Sequence, residues 1–153
     1  MSDQRVYRLI EDLIQLFERD LNRLEQEVAS FPSDQSLWVP RDGVHNCAGN
    51  LTLHLCGNLR HFVGHLIGQS GYERKRESEF TLKDLTRAQL ITEIHATLKE
   101  VQHALEHVDT TLLDAAYPIE VFGKPMSHRF FLIHLSGHLN YHLGQINYYR
   151  RLN

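Results

Sequence analysis

The chain has 153 residues, of which 42% are hydrophobic and 23% charged, and its formal net charge is −3. This length and composition suit one globular domain with its own buried core, predicted over residues 1–153, and the small negative charge gives no reason to expect a nucleic-acid partner. No apolar stretch approaches the roughly 18 residues that a membrane span requires, and residues 1–5 contain no apolar signal core, so we expect a cytoplasmic protein without a membrane partner.

The first predicted helix covers about residues 3–30. Its apolar residues recur at steps of three and four, which places them on one helical face: Val6, Leu9, Ile10, Leu13, Phe17, Leu21, Leu24 and Val28. Pro32 ends this pattern, because proline supplies no helical hydrogen-bond donor and crowds the preceding turn. A loop follows to about residue 45, in which we expect Trp38 and Pro40 to pack back onto the helices.

The second predicted helix runs from about residue 46 to residue 69 and stops near Ser70 and Gly71. Residues 72–84 are rich in charge and are predicted to be irregular. Thr86 opens the third helix, since Gln89 three positions later can complete a capping box. The core stripe of this third helix consists of Leu90, Ile94, Leu98, Val101, Leu105 and Val108.

A short extended excursion is predicted between residues 117 and 124, where apolar side chains surround Gly123. Pro125 and Ser127 then mark the start of the last helix, which continues to about Arg151. Four long helical patterns joined by loops are typical of an all-α four-helix bundle. That fold class is the prediction for the whole chain.

The two cysteines, Cys47 and Cys56, lie nine residues apart in the second predicted helix. At the helical rise this separation is about 13 Å, which is too long for a disulfide bond. We therefore expect both thiols to be free and the protein to belong in a reducing compartment.

Histidine is abundant, with 11 residues, and six of them form two stripes. In the second helix His54, His61 and His65 share one face with Asn58 at 100° per residue. In the last helix His134, His138 and His142 follow at steps of four. Two imidazoles four residues apart on one helix, with a third from a facing helix, can bind one metal ion.

A single buried histidine is usually a satisfied core residue, and pairs at a spacing of four also arise by chance. Six buried imidazoles without partners would, however, cost about 1–3 kcal/mol for each unsatisfied group, and a metal ion removes that cost for three. Spacing alone does not identify the metal ligands. Either the 134/138 pair or the 138/142 pair could bind the ion, together with one histidine of the second helix. The other histidines are expected at the surface or at helix ends: His45, His95, His103, His107 and His128.

Both histidine-bearing helices lack carboxylates, because residues 46–72 and 126–153 contain no Asp or Glu. This absence excludes a ferritin-like di-iron site, which needs Glu-x-x-His pairs, and a zincin, which needs a glutamate base between its histidines. A carboxylate that orients a histidine ring must come from another segment. Otherwise backbone carbonyls, Asn58 or Gln145 must orient the rings.

Two segments carry a resemblance to a known family. The sequence GNLTLHLCGN at residues 49–58 and the sequence HLNYHLGQI at residues 138–146 are similar to the DinB/YfiT-like superfamily. Trp38, Pro40 and the segment at residues 74–80 resemble its uncharacterised bacterial branch. The resemblance implies a left-handed up-down-down-up bundle, often a homodimer.

The resemblance also implies a ligand set. The superfamily ligands are one histidine of the second helix and two histidines four apart in the last, which correspond here to His54, His138 and His142. The implied cofactor is a divalent metal ion, with zinc, nickel, iron and manganese all found among members. His61, His65 and His134 are left as neighbours of the site.

For the function, the resemblance favours a metal-dependent enzyme that activates a low-molecular-weight thiol, as in thiol S-transferases of this superfamily. Its partners would be a small-molecule substrate and a thiol cofactor. Three alternatives stay open: a metal-dependent hydrolase acting on water, a non-catalytic metal-binding or stress protein, and a dimeric scaffold whose histidine stripes are vestigial. Three neutral histidine ligands leave a position for substrate, which is typical of catalytic metal sites.

Overall fold

Helices make up most of the computed structural model, which describes residues 3–153. The five α-helices are α1 (Asp3–Ala29), α2 (Ala48–Leu59), α3 (Arg76–Thr81), α4 (Arg87–Glu106) and α5 (His128–Arg151). Short 3₁₀ turns lie at Gln35–Trp38 and Thr110–Asp114. No strand is present in the described part of the chain, which has only two isolated bridges, Arg41–Val44 and Ala116–Ser127. The prediction of an all-α bundle is confirmed.

The apolar stripe predicted for α1 is the part of that helix that faces the core. Six of its residues are at most 6% exposed: Ile10, Leu13, Phe17, Leu21, Leu24 and Val28. Val6 and Leu9, nearer the start of the helix, are partly buried. α1 packs against α4 and α5, and α2 packs against the same two helices. The histidine-bearing helices α2 and α5 are therefore neighbours.

The second helix does not keep α-helical geometry to its end. α2 continues directly into a π-helical segment, Arg60–His65, in which the amide of Leu66 donates to the carbonyl of His61, five residues back. The extra residue per turn rotates the residues that follow relative to a regular α-helix, and such segments are frequent at functional sites. The projection at 100° per residue therefore holds for His54 and Asn58 but not beyond residue 60.

The prediction that residues 72–84 are irregular is wrong in part, because α3 lies within them. This helix has only six residues, too few to show a periodic pattern in the sequence. It is held by α2: the Asn50 side-chain amide donates to the carbonyls of Glu79 and Leu82, each at 2.9 Å. A long-range contact rather than local propensity therefore stabilises α3.

Of the two loop residues expected to pack back, only Trp38 does so. Trp38 is 8% exposed, and its indole Nε1 donates to the Leu85 carbonyl at 2.9 Å. Gly49 makes this possible, since a Cβ there would lie 2.6 Å from the indole ring. Pro40 is exposed, so the expectation for it is wrong.

The caps predicted for α4 and α5 are confirmed. Thr86 and Gln89 form a complete capping box at the start of α4, and the Ser127 hydroxyl accepts a hydrogen bond from the Phe130 amide at the start of α5. The predicted excursion before α5 is a loop rather than a strand. Its ends are joined by the amide of Tyr117 donating to the carbonyl of Met126 at 2.8 Å.

Within residues 3–153, no helix combines the length and apolar character needed to cross a bilayer. Both cysteines are free, as predicted, and the structure shows that both are buried. Burial raises the pKa of the Cys56 thiol to about 12. Cys56 is therefore a core residue and not a nucleophile at neutral pH.

The centre of the core is expected to tolerate truncation poorly. Phe17 is 0% exposed, so Phe17→Ala should lower the free energy of unfolding by about 3–5 kcal/mol, through lost burial and the cavity left behind. Tyr7→Ala on the same helix is the control, since Tyr7 is 59% exposed, and its effect should stay within about 0.5 kcal/mol. Urea denaturation followed by circular dichroism measures both values, and similar losses would contradict the packing described above.

Candidate metal centre

Three histidines from two helices converge between α2 and α5. They are His54 of α2 and His138 and His142 of α5, and one ring nitrogen from each lies within 4.8 Å of the others. The ring centroids are 5.2 Å apart for His54 and His138, 5.3 Å for His54 and His142, and 4.6 Å for His138 and His142. Because His138 and His142 are one helical turn apart, they project to the same side of α5.

The spacing of the nitrogens suits a metal ion. Nε2 of His54 lies 3.3 Å from Nε2 of His138. Two histidine nitrogens bound to one tetrahedral zinc ion, each at about 2.0–2.1 Å, are about 3.3–3.4 Å apart. The three imidazoles therefore fit a divalent ion as a donor set, and three protein ligands leave a coordination position for another molecule.

A buried carboxylate orients the first of these rings. Nδ1 of His54 lies 3.1 Å from Oε1 of Glu79, a residue of α3 that is only 5% exposed. A neutral His54 that donates from Nδ1 to this carboxylate presents the lone pair of Nε2 to the cluster. Carboxylate–histidine pairs of this kind fix the tautomer and raise the basicity of a metal ligand.

Glu79 is itself held in place by Arg74. The guanidinium of Arg74 donates from Nε to Oε2 and from Nη2 to Oε1, both at 2.8 Å. Burial opposes ionisation of Glu79, but hydrogen bonds from Arg74 and His54 outweigh it and lower the pKa of this carboxyl. Glu79 is therefore a fixed anion at neutral pH, available to His54 as an acceptor.

Gly57 provides the space for this carboxylate. A Cβ at Gly57 would lie 2.0 Å from Oε2 and 2.7 Å from Cδ of Glu79. The carboxylate thus packs directly on the backbone of α2, one turn after His54. Any larger residue at position 57 would displace the group that orients His54.

A second hydrogen bond orients the ring of His142. Nδ1 of His142 lies 2.6 Å from Oε1 of Gln145, three residues further along α5. An Nδ1–H donor on His142 again leaves Nε2 free for the cluster. The sequence offered Gln145 and Asn58 for this role, and Gln145 fills it. Asn58 does not, because its Oδ1 is buried without a hydrogen-bond partner among residues 3–153.

The electrostatic setting keeps two of the rings neutral. Burial, and then the positive charges that His142, His54, His134 and Arg74 can carry, lower the pKa of His138 to about 4. Burial also lowers the pKa of His142, although its hydrogen bond to Gln145 acts in the opposite direction. Only a neutral imidazole binds a metal ion, so both rings are in the ligating form at neutral pH.

The other member of the last-helix stripe, His134, stands outside the cluster. His134 is exposed, and its ring lies against Phe122 and Phe131, with centroid distances of 4.8 and 5.9 Å. Its ring is 6.2 Å from that of His138. The fold therefore brings the 138/142 pair, rather than the 134/138 pair, to His54.

The two other histidines of the second predicted helix also lie apart from the cluster. His61 and His65 belong to the π-helical segment, and their rings stack on each other at 6.3 Å. Nδ1 of His65 accepts a hydrogen bond from the Gly71 amide at 3.2 Å. These two histidines interact with each other and with the end of their own helix.

The other five histidines were expected at the surface or at helix ends, and four are exposed: His45, His95, His103 and His107. His128 is at a helix end, since it is the first residue of α5, but it is only 7% exposed. Its Nδ1 is 3.1 Å from the Ala115 carbonyl and its ring packs on Tyr117. The loop before α5 folds back over the start of this helix and covers it.

Two cavities flank the cluster. One, of about 300 Å³, is bounded by His54 and His138 and has an aromatic wall of Phe62, Phe122 and Phe131. The other, of about 470 Å³, is bounded by His142 and Gln145 at the C-terminal half of α5. The residues that line these two cavities include no Asp or Glu. A molecule in either cavity can thus approach the cluster without meeting a carboxylate.

The contribution of Glu79 can be tested by removing its charge alone. Glu79→Gln should weaken zinc binding about 10–100-fold, the usual effect of losing a hydrogen-bond partner of a metal ligand. Glu77→Gln is a matched control, because Glu77 is an exposed glutamate on the same short helix. Competition with a chromophoric chelator measures both affinities. Equal affinity in the two variants would show that Glu79 does not act on the site.

Sequence reasoning missed Glu79 and Arg74 as site residues. It required a carboxylate from outside the two histidine helices, and α3 supplies one. Five of the seven residues from 74 to 80 are charged, and nothing in their order distinguishes the buried Glu79 from the exposed Glu77. The local sequence therefore held no signal for this assignment.

Comparison with known proteins adds one finding. A family model described as the DinB superfamily matches residues 16–146, which is most of the chain. The matched region contains the three clustered histidines, Glu79 and Gln145. No curated protein matches the chain.

Proposed function

This chain belongs to the DinB superfamily, and from that premise we propose that it is a metal-dependent enzyme that transfers a small thiol to an electrophile. His54, His138 and His142 are the proposed ligands of a divalent ion. Because a fold does not determine a reaction, the proposal depends on the chemistry of the site. The observation that carries it is the convergence of three histidine nitrogens within 4.8 Å beside two cavities without carboxylates.

The arrangement of hydrogen bonds leaves ring nitrogens of the cluster available to a metal ion. Glu79 and Gln145 each meet an Nδ1 atom, of His54 and of His142, which leaves both Nε2 atoms for another partner. Nε2 of His54 faces Nε2 of His138 at 3.3 Å. In the absence of a shared cation or a proton, two nitrogen lone pairs at that distance would repel each other.

The lack of a free base at the site favours a thiol over water as the nucleophile. Glu79 is bound by Arg74 and His54 and has a lowered pKa, so it is a poor proton acceptor. A divalent cation lowers the pKa of a thiol that it binds, which supplies a thiolate without a protein base. With the ion held by His54, His138 and His142, the thiol proton would pass to solvent, the sulfur would form a bond to the electrophilic carbon, and the leaving group would depart with its electron pair.

The cavity beside His54 and His138 suits an apolar electrophile. Phe62 and Phe131 meet edge to face at 5.0 Å, and Phe122 packs on Phe131 at 6.0 Å. The loop before α5 contributes Phe122 to this wall, and Arg74 and Arg76 line the cavity as well. Aromatic side chains here can bury an apolar body and exclude water from the reacting atoms.

The test combines metal analysis with turnover. Protein purified without a histidine tag should contain close to one equivalent of a divalent metal by elemental analysis. It should then accelerate the reaction of a small thiol with chlorodinitrobenzene, and chelation should remove that rate. His138→Ala should lose both metal and turnover, whereas His103→Ala, an exposed histidine of α4, should keep both.

Each rival function predicts a different result in the same experiment. Ester hydrolysis that needs the metal but no thiol would identify a hydrolase. Bound metal without turnover of any substrate would identify a metal-binding protein without catalysis. Protein that binds no metal at micromolar concentration would contradict the proposal at its first step.

A further inference from the structure

The cavity on the His142 side has a polar end that the cluster does not use. It lies between the loop at residues 41–46 and the C-terminal half of α5, and its volume is about 470 Å³. His142 and Gln145 bound one end, whereas Arg41 and Tyr149 also line it. Arg41 is the only permanent cation among the lining residues, which include no Asp or Glu.

Two hydrogen-bond donors at this end are buried without partners in the described part of the chain. They are Nε of Arg41 and the hydroxyl of Tyr149. Tyr149 is 5% exposed, and burial raises the pKa of its hydroxyl, so that it remains protonated at neutral pH. Nη2 of Arg41 already donates to the Leu152 carbonyl and to Oδ1 of Asn153, which fixes the guanidinium beside the Tyr149 ring.

The chemistry of these donors selects the group that they would bind. An unsatisfied buried donor costs about 1–3 kcal/mol, and an arginine donor is best satisfied by an anionic acceptor. A carboxylate has two oxygens and can accept from Arg41 and Tyr149 together. The exposed rings of Tyr141 and Tyr148 border the same cavity, so the bound molecule would also have an apolar body.

The spacing of His142 and Tyr149 along α5 sets the length of the molecule that would span the cavity. Tyr149 comes seven residues after His142, which is almost two turns of α5 and places both side chains on one face. The rise over seven residues is about 10 Å. A molecule that bridges the two ends is therefore a small acid with its reactive group several bonds from the carboxylate.

We propose that Arg41 and Tyr149 bind the carboxylate of the thiol substrate, while its sulfur lies at the His142 end of the same cavity. The identity of the reactive group rests on the proposed function. The carboxylate site itself does not, because its donors belong to the loop at residues 41–46 and to the end of α5. Arg41 and Tyr149 are positioning residues that set the specificity for an acid.

The test compares two thiols that differ only at the far end, mercaptohexanoate and mercaptohexanol. Isothermal titration calorimetry on the zinc-loaded protein should show mercaptohexanoate binding at least about tenfold more tightly, as expected for a charge-assisted contact. Arg41→Gln should abolish the preference, and Tyr149→Phe should reduce it. Both variants should keep the zinc affinity of the wild type. Arg8→Gln and Tyr7→Phe on exposed positions of α1 are the matched controls and should keep the full preference.

Two further measurements, hexanoate binding and thiol binding to the metal-free protein, distinguish failure of the carboxylate site from failure of the thiol function. If hexanoate binds through Arg41 but zinc adds nothing to the affinity for mercaptohexanoate, the thiol function fails and the carboxylate site stands. If both thiols bind the zinc-loaded protein equally, the carboxylate site is overturned and the thiol function stands. A preference that persists in Arg41→Gln, or no binding of either thiol, also overturns the carboxylate site.

Discussion

Replacing His142 by alanine is expected to weaken zinc binding by more than about 100-fold. The variant removes one of three nitrogens that lie within 4.8 Å of one another. Losing a ligand should weaken zinc binding more than losing a hydrogen-bond partner of a ligand, which weakens it about 10–100-fold. The remaining pair, His54 and His138, would hold the ion with two protein ligands. Chelator competition and calorimetry on the untagged protein measure the change.

His134→Ala is the matched control for this variant. His134 is four residues before His138, just as His142 is four residues after it, so each variant removes one imidazole from the same helical stripe. The His134 ring lies against Phe122 and Phe131 instead of His54. We expect its loss to change zinc affinity by less than about threefold, within the range of a surface substitution. Equal losses in the two variants would mean that His134 binds the metal as well.

The second large effect is expected on acidification of the metal-free protein. His138 has a pKa of about 4 in the folded state, whereas an unperturbed histidine in the unfolded chain titrates near about 6.5. Between these values the unfolded chain binds more protons, so the free energy of unfolding falls as the pH falls. The contribution of His138 is present in full above about pH 6.5 and declines by about 3 kcal/mol as the pH reaches 4.

Urea denaturation at a series of pH values, with and without zinc, measures this dependence. In His138→Gln the decline between pH 7 and pH 4 should be smaller by about 2–3 kcal/mol, whereas His103→Gln on the surface of α4 should match the wild type. Zinc binds the folded state and neutral imidazole only, so the zinc-loaded protein should lose more stability on acidification than the metal-free protein. A wild-type curve parallel to that of His138→Gln would show that His138 is not buried as a neutral ring.

The long helices of the fold could be predicted from local patterns. The apolar residues of α1 recur on one face, and the same residues form the core, from Ile10 to Val28. Thr86, Gln89 and Ser127 fix the starts of α4 and α5 through side-chain contacts three residues away. Signals that act within one or two helical turns are visible in the sequence, because the interacting groups are close neighbours along the chain.

Departures from these predictions occur where distant segments decide the local structure. α3 forms in a charged segment because Asn50 of α2 binds its carbonyls. His128 is buried because the preceding loop folds over it. The π-helical segment rotates His61 and His65 relative to His54, although a regular projection put all three on one face. The cases of α3 and His128 depend on contacts that spacing along the chain does not encode.

By itself, the sequence determined the all-α class, the absence of a disulfide and the histidine stripe of the last helix, since all three follow from spacing along a helix. It left open which pair in α5 meets α2, because pairs at 134/138 and 138/142 have identical local geometry. Only the tertiary structure decided this: the packing of α2 on α5 brings His138 and His142 to His54 and leaves His134 against aromatic side chains. The packing of α3 on α2 buries Glu79 beside His54, a contact between residues 25 positions apart that only a complete fold can produce.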